Sequence, residues 1–143
     1  MDKFLVKTIE ESDLDNFTSL WNQGYEVLTS SQFKMTNEKA KDGFKSKLFD
    51  YIGLYKNKLL IGFILLVKDE NKIWIKHLLV DKYERTKGLG KVLIEESIGN
   101  RNEEIFAEVL EENEIALKFF LSNKFQIIKN DKENHQYVLK LKK

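Results

Sequence analysis

Apolar and polar residues follow two different periods along this chain. In seven short runs the residues alternate in character or are largely apolar, which is typical of β-strands. These runs are residues 4–10, 51–56, 59–68, 72–81, 104–110, 125–130 and 136–142. In four other segments apolar residues recur every three or four positions, which predicts amphipathic helices. These segments are residues 12–28, 36–49, 90–99 and 113–123.

The connections between these elements predict how the strands pair. Three consecutive strands between residues 51 and 81 are joined by the short connectors NK and DEN, so we expect an antiparallel meander. The helix at 90–99 leads from the third of these strands to the strand at 104–110, and such a crossover joins parallel strands. The order β-α-α-β-β-β-α-β-α-β-β predicts an α/β fold with a mixed, mostly antiparallel sheet flanked by helices. Because no Pro/Gly/Ser linker interrupts the chain, residues 1–143 are expected to form a single domain.

Composition narrows the function classes. Lys+Arg 24 nearly cancels Asp+Glu 23, which argues against a protein that grips nucleic acid through a strongly basic face. The chain has no cysteine, so disulfides, thiolate nucleophiles and Cys-based metal sites are excluded. Its two histidines are far apart in sequence, and no metal site is expected. No apolar run is long enough to span a bilayer, so we expect no membrane association and a cytoplasmic location.

The stretch ERTKGLGKVLIEE, residues 84–96, places two glycines and several cations just before a predicted helix. The first amides of a helix lack internal partners and carry partial positive charge, so they can bind an anion such as a pyrophosphate. The stretch is neither a P-loop nor a dinucleotide fingerprint, because the required further glycine and Gly-Lys-Ser/Thr are missing. Taken alone, it is equally compatible with a structural turn.

Its context resembles the GNAT superfamily, the Gcn5-related N-acetyltransferases. Arg85-x-x-Gly88-x-Gly90 begins five residues beyond Val80 at the end of an apolar strand, and it is similar to that family's acyl-CoA-binding motif. The segment NEIALKFFLSNKF, residues 113–125, resembles a second family motif, and LIGFI at 60–64 looks like the family's third strand. The resemblance covers nearly the whole chain and implies the GNAT fold, acetyl-CoA as the cofactor and N-acetyl transfer as the activity.

The resemblance also implies which residues form the site. The backbone N–H of Leu78 corresponds to the family's donor to the developing oxyanion. The residues expected to hold coenzyme A are Leu79, Val80, Arg85, Thr86, Lys87, Gly88, Leu89, Gly90, Lys91, Asn113 and Phe120. Asn113 is at the same time a favoured helix N-cap residue.

The sequence departs from the family pattern at the positions of the acid and the base. Phe120 occupies the position of a tyrosine whose hydroxyl protonates the departing thiolate in many members, and Lys124 replaces a glycine. Trp74 and Lys76 occupy the strand positions that often carry a Glu or His base. Two candidate bases remain, His77 and Glu108. His77 has a suitable ordinary pKa but should lie on the opposite strand face from Trp74 and Lys76 unless a bulge re-aims it, and Glu108 lies on the partner strand.

The sequence is compatible with two functions. The first is an acetyl-CoA-dependent N-acetyltransferase that acts on a primary amine of a small molecule or a protein, with Trp21 and Tyr25 as candidate walls of the acceptor pocket and the loop 29–35 as a candidate cover. The second is a non-catalytic acyl-CoA-binding sensor or interaction domain, which the phenylalanine at position 120 favours. A homodimer is expected only from its frequency in the family.

Overall fold

The computed structural model describes residues 2–27, 34–85 and 88–142, which form one seven-stranded sheet with helices on both faces. The strands are β1 (Phe4–Thr8), β2 (Phe49–Lys56), β3 (Leu59–Asp69), β4 (Lys72–Val80), β5 (Glu104–Leu110), β6 (Phe125–Asp131) and β7 (Gln136–Leu141). The helices are α1 (Leu14–Val27), α2 (Asn37–Lys45), α3 (Leu89–Ile98) and α4 (Glu114–Ser122), and a 3₁₀ turn (Glu11–Asp13) precedes α1.

The strand order across the sheet is β1-β2-β3-β4-β5-β7-β6. Strands β1 to β4 form an antiparallel meander, and β4 pairs with β5 in parallel after the α3 crossover. The hairpin of β6 and β7 joins the sheet through β7, which runs antiparallel to β5. The predicted fold class, a mixed and mostly antiparallel sheet flanked by helices, is therefore confirmed.

The core is divided between the two faces of the sheet. On one face the apolar sides of α3 and α4 pack over β3, β4 and β5, around fully buried residues such as Leu93, Ile64 and Leu139. On the other face α1 and α2 cover β2 and β3 with an aromatic cluster centred on Phe17, whose ring contacts those of Tyr51 and Phe63. From Phe63 to Leu66, consecutive β3 residues alternate between the two clusters, as the period of a strand requires.

The second predicted helix ends earlier than its pattern suggested. Ala40 and Phe44 pack into the core as expected, but α2 ends at Lys45, and Ser46 is already extended with a ψ of 131°. Leu48, which continues the helical spacing of Ala40 and Phe44, is 65% exposed, and Phe49 begins β2 opposite Val67. The prediction of a helix through residue 49 is wrong because Phe49, the last residue of that segment, pairs with β3 as part of β2.

Two irregularities in the sheet affect β4: its pairing with β5 ends early, and it contains a bulge. Parallel pairing of β4 and β5 covers only Lys72–Ile75 with Glu104–Ala107, so the remaining lengths of these strands separate from one another. On its other side, β4 carries a bulge: His77 lies opposite Leu65 and Ile75 opposite Leu66, which leaves Lys76 as the additional residue. Among the described residues no helix is both long and apolar enough to cross a membrane.

Candidate active site

A cavity of about 530 Å³ opens where β4 and β5 separate, and it extends to the first turns of α3 and α4. It brings together most of the residues that the sequence predicted for the site. Those that line it are His77, Leu78, Leu79, Val80, Arg85, Gly88, Leu89, Gly90, Glu108, Asn113 and Phe120. Lys91 is not among the lining residues and lies 3.9 Å from Glu95 on the exposed face of α3. Thr86 and Lys87 lie outside the described residues.

The N-terminus of α3 differs from those of α2 and α4. Thr36 caps α2 and Asn113 caps α4 through side-chain oxygens, and each of these helices has a glutamate in its first turn. Helix α3 begins instead with Gly88 as its N-cap, with no side-chain cap and no acidic residue in the first turn. Gly88, Leu89 and Gly90 line the cavity, so the first turn of α3 itself brings no side-chain cap and no carboxylate to it among the described residues.

The two glycines of the motif have different structural roles. Gly88 has a φ of 77°, and a Cβ built there would meet nothing within 4 Å, so the space beside its backbone is open. Gly90 has no such requirement on φ, but a Cβ there would come within 2.9 Å of the Phe119 ring. Gly88 thus leaves room at the cavity for a ligand, whereas Gly90 allows α3 to approach α4 closely.

Arg85 closes the turn between β4 and α3. Its Nε donates a hydrogen bond of 2.8 Å to the Val80 carbonyl oxygen, at the point where β4 ends. The neighbouring Glu84 also lines the cavity and is held by Lys56, whose Nζ lies 2.9 Å from Oε2 of Glu84. This ion pair, which ties the turn to β2, had no signal in the sequence, because its partners are far apart along the chain.

The backbone of Leu78 is directed toward the gap between β4 and β5. The Asp81 N–H donates to the Ile61 carbonyl oxygen of β3 at 2.7 Å, and backbone groups of successive strand residues point to alternate sides. Leu78 and Val80 therefore direct their N–H and C=O groups away from β3, as the contact from Arg85 to the Val80 oxygen also shows. Since ladder pairing with β5 has already ended at Ile75, the Leu78 amide faces the cavity.

The bulge at Lys76 determines where the His77 side chain lies. Lys76 Nζ is 5.5 Å from the centroid of the Trp74 ring, so these two side chains lie on the same face of β4. The additional residue in β4 turns His77 toward that face too, which is the face covered by α1. There the imidazole lies against Trp21, with 4.0 Å between ring centroids. Simple alternation predicts His77 on the opposite face from Trp74 and Lys76, and the exception that the sequence allowed, a bulge that re-aims the side chain, is what the structure contains. Burial lowers the pKa of His77 from 6.5 to about 4, so the ring is neutral at pH 7.

Glu108 lies across the gap from Lys76 at the first position beyond the parallel pairing. Its Oε1 is 3.2 Å from Lys76 Nζ, and its Oε2 accepts a hydrogen bond of 2.5 Å from Nε2 of Gln136 on β7. Neither partner of Glu108 has a local signal in the sequence. Lys76 belongs to the neighbouring strand β4, and Gln136 becomes a neighbour only because β7 is inserted beside β5.

The second motif forms α4. Asn113 Oδ1 accepts a hydrogen bond from the Ala116 N–H at 3.1 Å, so the predicted N-cap is confirmed. Phe120 is 6% exposed, and its ring packs edge-on against Phe119 and Phe125 while lining the cavity. Lys124, at the position of the family glycine, adopts a φ of 73°, so the turn before β6 keeps a conformation that glycine would adopt more easily.

Trp21 lines the cavity, whereas the side chain of Tyr25 and most of the loop 29–35 lie outside the described residues.

The cavity therefore combines an uncapped helix N-terminus at one end with an inward-facing strand amide and two titratable side chains at the other. One end can bind a phosphate-like anion, and the other can stabilise negative charge on an oxygen and move a proton. This combination suits the transfer of a group carried by a phosphate-containing donor.

Comparison with known proteins agrees with this chemistry. Residues 7–125 match the family model described as "Acetyltransferase (GNAT) family". Comparison with the curated proteins gave no match. Among solved structures, the PaiA N-acetyltransferase of Thermoplasma acidophilum in complex with coenzyme A is 19% identical over 99% of both chains, with a TM-score of 0.84. An acetyltransferase from Thermus thermophilus is 16% identical over 97% of both chains (TM-score 0.79). A phosphinothricin acetyltransferase from Sinorhizobium meliloti in complex with AcCoA is 14% identical over 96% of this chain and 86% of that one (TM-score 0.78).

Proposed function

The chain belongs to the GNAT acetyltransferase family, and on that premise we propose that it is an N-acetyltransferase that moves the acetyl group of acetyl-CoA to a primary amine. The observation that carries the proposal is the single cavity that joins the uncapped N-terminus of α3 to the gap between β4 and β5. The acceptor is an amine of a small molecule or of a protein.

The residues around α3 fit the pyrophosphate of coenzyme A. In this proposal the amides of Gly88, Leu89 and Gly90 donate to the phosphate oxygens, and the open space beside Gly88 admits them. The other residues assigned to cofactor binding are Leu79, Val80, Arg85, Thr86, Lys87, Lys91, Asn113 and Phe120. Bound acetyl-CoA would supply an activated thioester, the acetyl carbonyl of which is open to attack by an amine.

At the acetyl end, the Leu78 amide is proposed to donate a hydrogen bond to the carbonyl oxygen as negative charge develops there. Its orientation toward the gap supports this role, because the amide has no ladder partner on β5. A fixed donor of this kind acts without reorganisation at the moment of reaction. The role belongs to the backbone, so no side-chain substitution at Leu78 tests it directly.

Proton removal from the acceptor is assigned to Glu108 in preference to His77. The carboxylate of Glu108 lies at the mouth of the gap and already binds one ammonium group, that of Lys76. The acceptor's ammonium can replace Lys76 there and lose a proton to the same carboxylate. His77, with a pKa of about 4, is a weaker proton acceptor and is proposed to line the acceptor side together with Trp21. Phe120 has no proton to donate, so the departing thiolate takes its proton from the amine or from water.

Isothermal titration with acetyl-CoA tests the binding half of this proposal. Two variants at one position form a matched pair: Gly88→Asn and Gly88→Asp are nearly equal in volume, and both residue types tolerate a positive φ. We expect the Asp variant to bind acetyl-CoA at least roughly tenfold more weakly than the Asn variant, a difference of about 1.4 kcal/mol, because only Asp places a negative charge at the phosphate site. Equal affinities of two folded variants would contradict a phosphate cradle at Gly88.

Release of free thiol tests the catalytic half. Wild-type protein is incubated with acetyl-CoA and a panel of polyamines, aminoglycosides, amino acids and peptides with free N-termini. We expect at least one class to increase thiol release above the rate without an acceptor. Tight binding of acetyl-CoA with no thiol release from any amine would instead support the non-catalytic acyl-CoA-binding function.

A further inference from the structure

We propose that Lys76 is itself an acetyl acceptor, so that each molecule acetylates its own lysine at the mouth of the active-site cavity. The proposal rests on the function proposed above and adds a modification site to it. The observations that carry it are the position of Lys76 on the β4 bulge, its contact with Glu108 and its place in the lining of the cavity.

The bulge places Lys76 at the edge of the gap, where its side chain is still exposed to solvent. As the additional residue of β4, it sits where β4 and β5 begin to separate, and its Nζ reaches across to Glu108 on β5 at 3.2 Å. The centroid of the Trp74 ring, on the same strand as Lys76, lies 5.5 Å from Nζ. With 43% of its surface exposed, the side chain is accessible yet held in one place by these two contacts.

Lys76 also lies on the same strand as the Leu78 amide, the proposed donor to the developing oxyanion. Leu78, whose amide faces the gap, is two residues farther along the same strand. An amine held on the same backbone as the oxyanion donor reacts as an intramolecular group, which gives it a large advantage over a free amine. Glu108 completes the arrangement, because the carboxylate that binds the ammonium can also remove its proton.

The step balances without any further reactant. The Lys76 ammonium gives one proton to the Glu108 carboxylate, and the neutral Nζ forms a bond to the acetyl carbon of the thioester. The carbon–sulfur bond breaks, and coenzyme A leaves as the thiol with a second proton from Nζ. The products are N-acetyl-lysine, coenzyme A and a protonated Glu108 that then returns its proton to water. The acetylated side chain is uncharged, so the ion pair with Glu108 is lost and the carboxylate becomes available to an external amine.

Two other lysines that form ion pairs with glutamates provide internal controls. Lys68 pairs with Glu103 at 3.6 Å, and Lys140 pairs with Glu104. Lys68 is 62% exposed and Lys140 37% exposed, a range that brackets Lys76, but neither lines the cavity. Chemical acetylation by free acetyl-CoA in solution would affect all three lysines according to exposure, whereas acetylation in the site would select Lys76.

The experiment uses the full chain and acetyl-CoA carrying a ¹³C-labelled acetyl group, without any added amine. Peptide mass spectrometry follows the label at Lys76, Lys68 and Lys140 over time, and unlabelled acetyl groups acquired in the host cell are counted separately. We expect the early rate at Lys76 to exceed that at either control lysine by roughly tenfold or more. The rate per molecule should not change when the protein is diluted, and the label at Lys76 should fall to the control level in the Gly88→Asp variant.

Binding of acetyl-CoA is measured on the same samples, so that two failures can be told apart. If wild-type protein shows no binding, the proposed function and this inference both fall. If acetyl-CoA binds but Lys76 is labelled no faster than Lys68 and Lys140, the inference is overturned and the proposed function stands. A rate per molecule that rises with protein concentration also overturns it. Lys76→Arg, which keeps the charge, should lose the label at that position while Lys68→Arg retains it at Lys76.

Discussion

His77 links a local detail of β4 to the pH dependence of the whole protein. Burial against Trp21 lowers its pKa from 6.5 to about 4, so the folded protein favours the neutral ring. Between these two values the unfolded chain binds the proton more readily. The stabilisation that His77 contributes is therefore fully present above about pH 6.5 and is lost as the pH falls toward 4. From pH 7.5 to pH 5 we expect a loss of about 2 kcal/mol in the free energy of unfolding from this residue.

Urea denaturation at these two pH values tests the prediction. Replacing His77 by Gln removes the titrating group, so the variant should lose about 2 kcal/mol less than wild type over the same interval. His135→Asn is the control, because His135 is exposed on the turn between β6 and β7 and has a φ of 53°, which Asn accepts. Parallel pH profiles for wild type and His77→Gln would show that the burial of the imidazole has no such consequence.

The same strand shows which residue-level features the sequence could predict. The glycine motif and the Asn113 cap were predictable because each depends on neighbours a few positions away, whereas the role of the Leu78 amide is implied only by the family resemblance. The side-chain direction of His77 and the pair of Lys76 with Glu108 depend on one additional residue in β4, and this bulge is set by the register of β3 and β4 together. Alternation along a single strand carries no information about such a shift.

At the scale of elements, the approach of α3 to α4 depends on Gly90. A Cβ at this position would come within 2.9 Å of the Phe119 ring, which itself rests against Phe120. Gly90 lies inside the first turn of α3, where alanine would otherwise be favoured by up to ~1 kcal/mol. We expect Gly90→Ala to destabilise the protein by about 1 kcal/mol, because the overlap with Phe119 outweighs the gain in helix propensity.

A double-mutant cycle with Phe119→Leu isolates this contact. In the Phe119→Leu background the overlap is relieved, so the same Gly90→Ala change should become neutral or stabilising, with a coupling energy of about 1–2 kcal/mol. Chemical denaturation of the four proteins provides the measurement. Additive effects of the two substitutions would mean that Gly90 is required for some reason other than its proximity to Phe119.

The boundaries of elements were predictable where a local signal marks them. Strand β5 was predicted with its observed limits, Glu104–Leu110, since polar segments flank a clear apolar run. The end of α2 was missed because Leu48 continues the helical spacing although Phe49 belongs to β2. Phe49 pairs instead with Val67 of β3, which is more than ten residues away in sequence, and the spacing of apolar residues within one helix contains no information about such a pairing.

At the scale of the whole molecule, one sheet connects two apolar clusters. The cluster under α1 and α2 and the cluster under α3 and α4 share β3, which directs Phe63 into the first and Ile64 into the second. Neither helical layer can be removed without exposing apolar residues of the same strand. We therefore expect both layers to unfold in one cooperative step.

A chemically matched pair of substitutions tests this cooperativity. Leu20 of α1 is 3% exposed in one cluster and Leu93 of α3 is fully buried in the other, so Leu20→Ala and Leu93→Ala should each cost about 3 kcal/mol. In a Trp74→Phe background, fluorescence reports on Trp21 in the α1 layer, while far-UV circular dichroism reports on the sheet and all helices. We expect a single denaturation transition, identical by both probes, in either variant. If Leu20→Ala instead gives an early fluorescence transition that circular dichroism does not share, the α1 and α2 layer unfolds as a separate unit. In that case the cavity wall formed by Trp21 and His77 would open before the wall formed by α3 and α4 is lost.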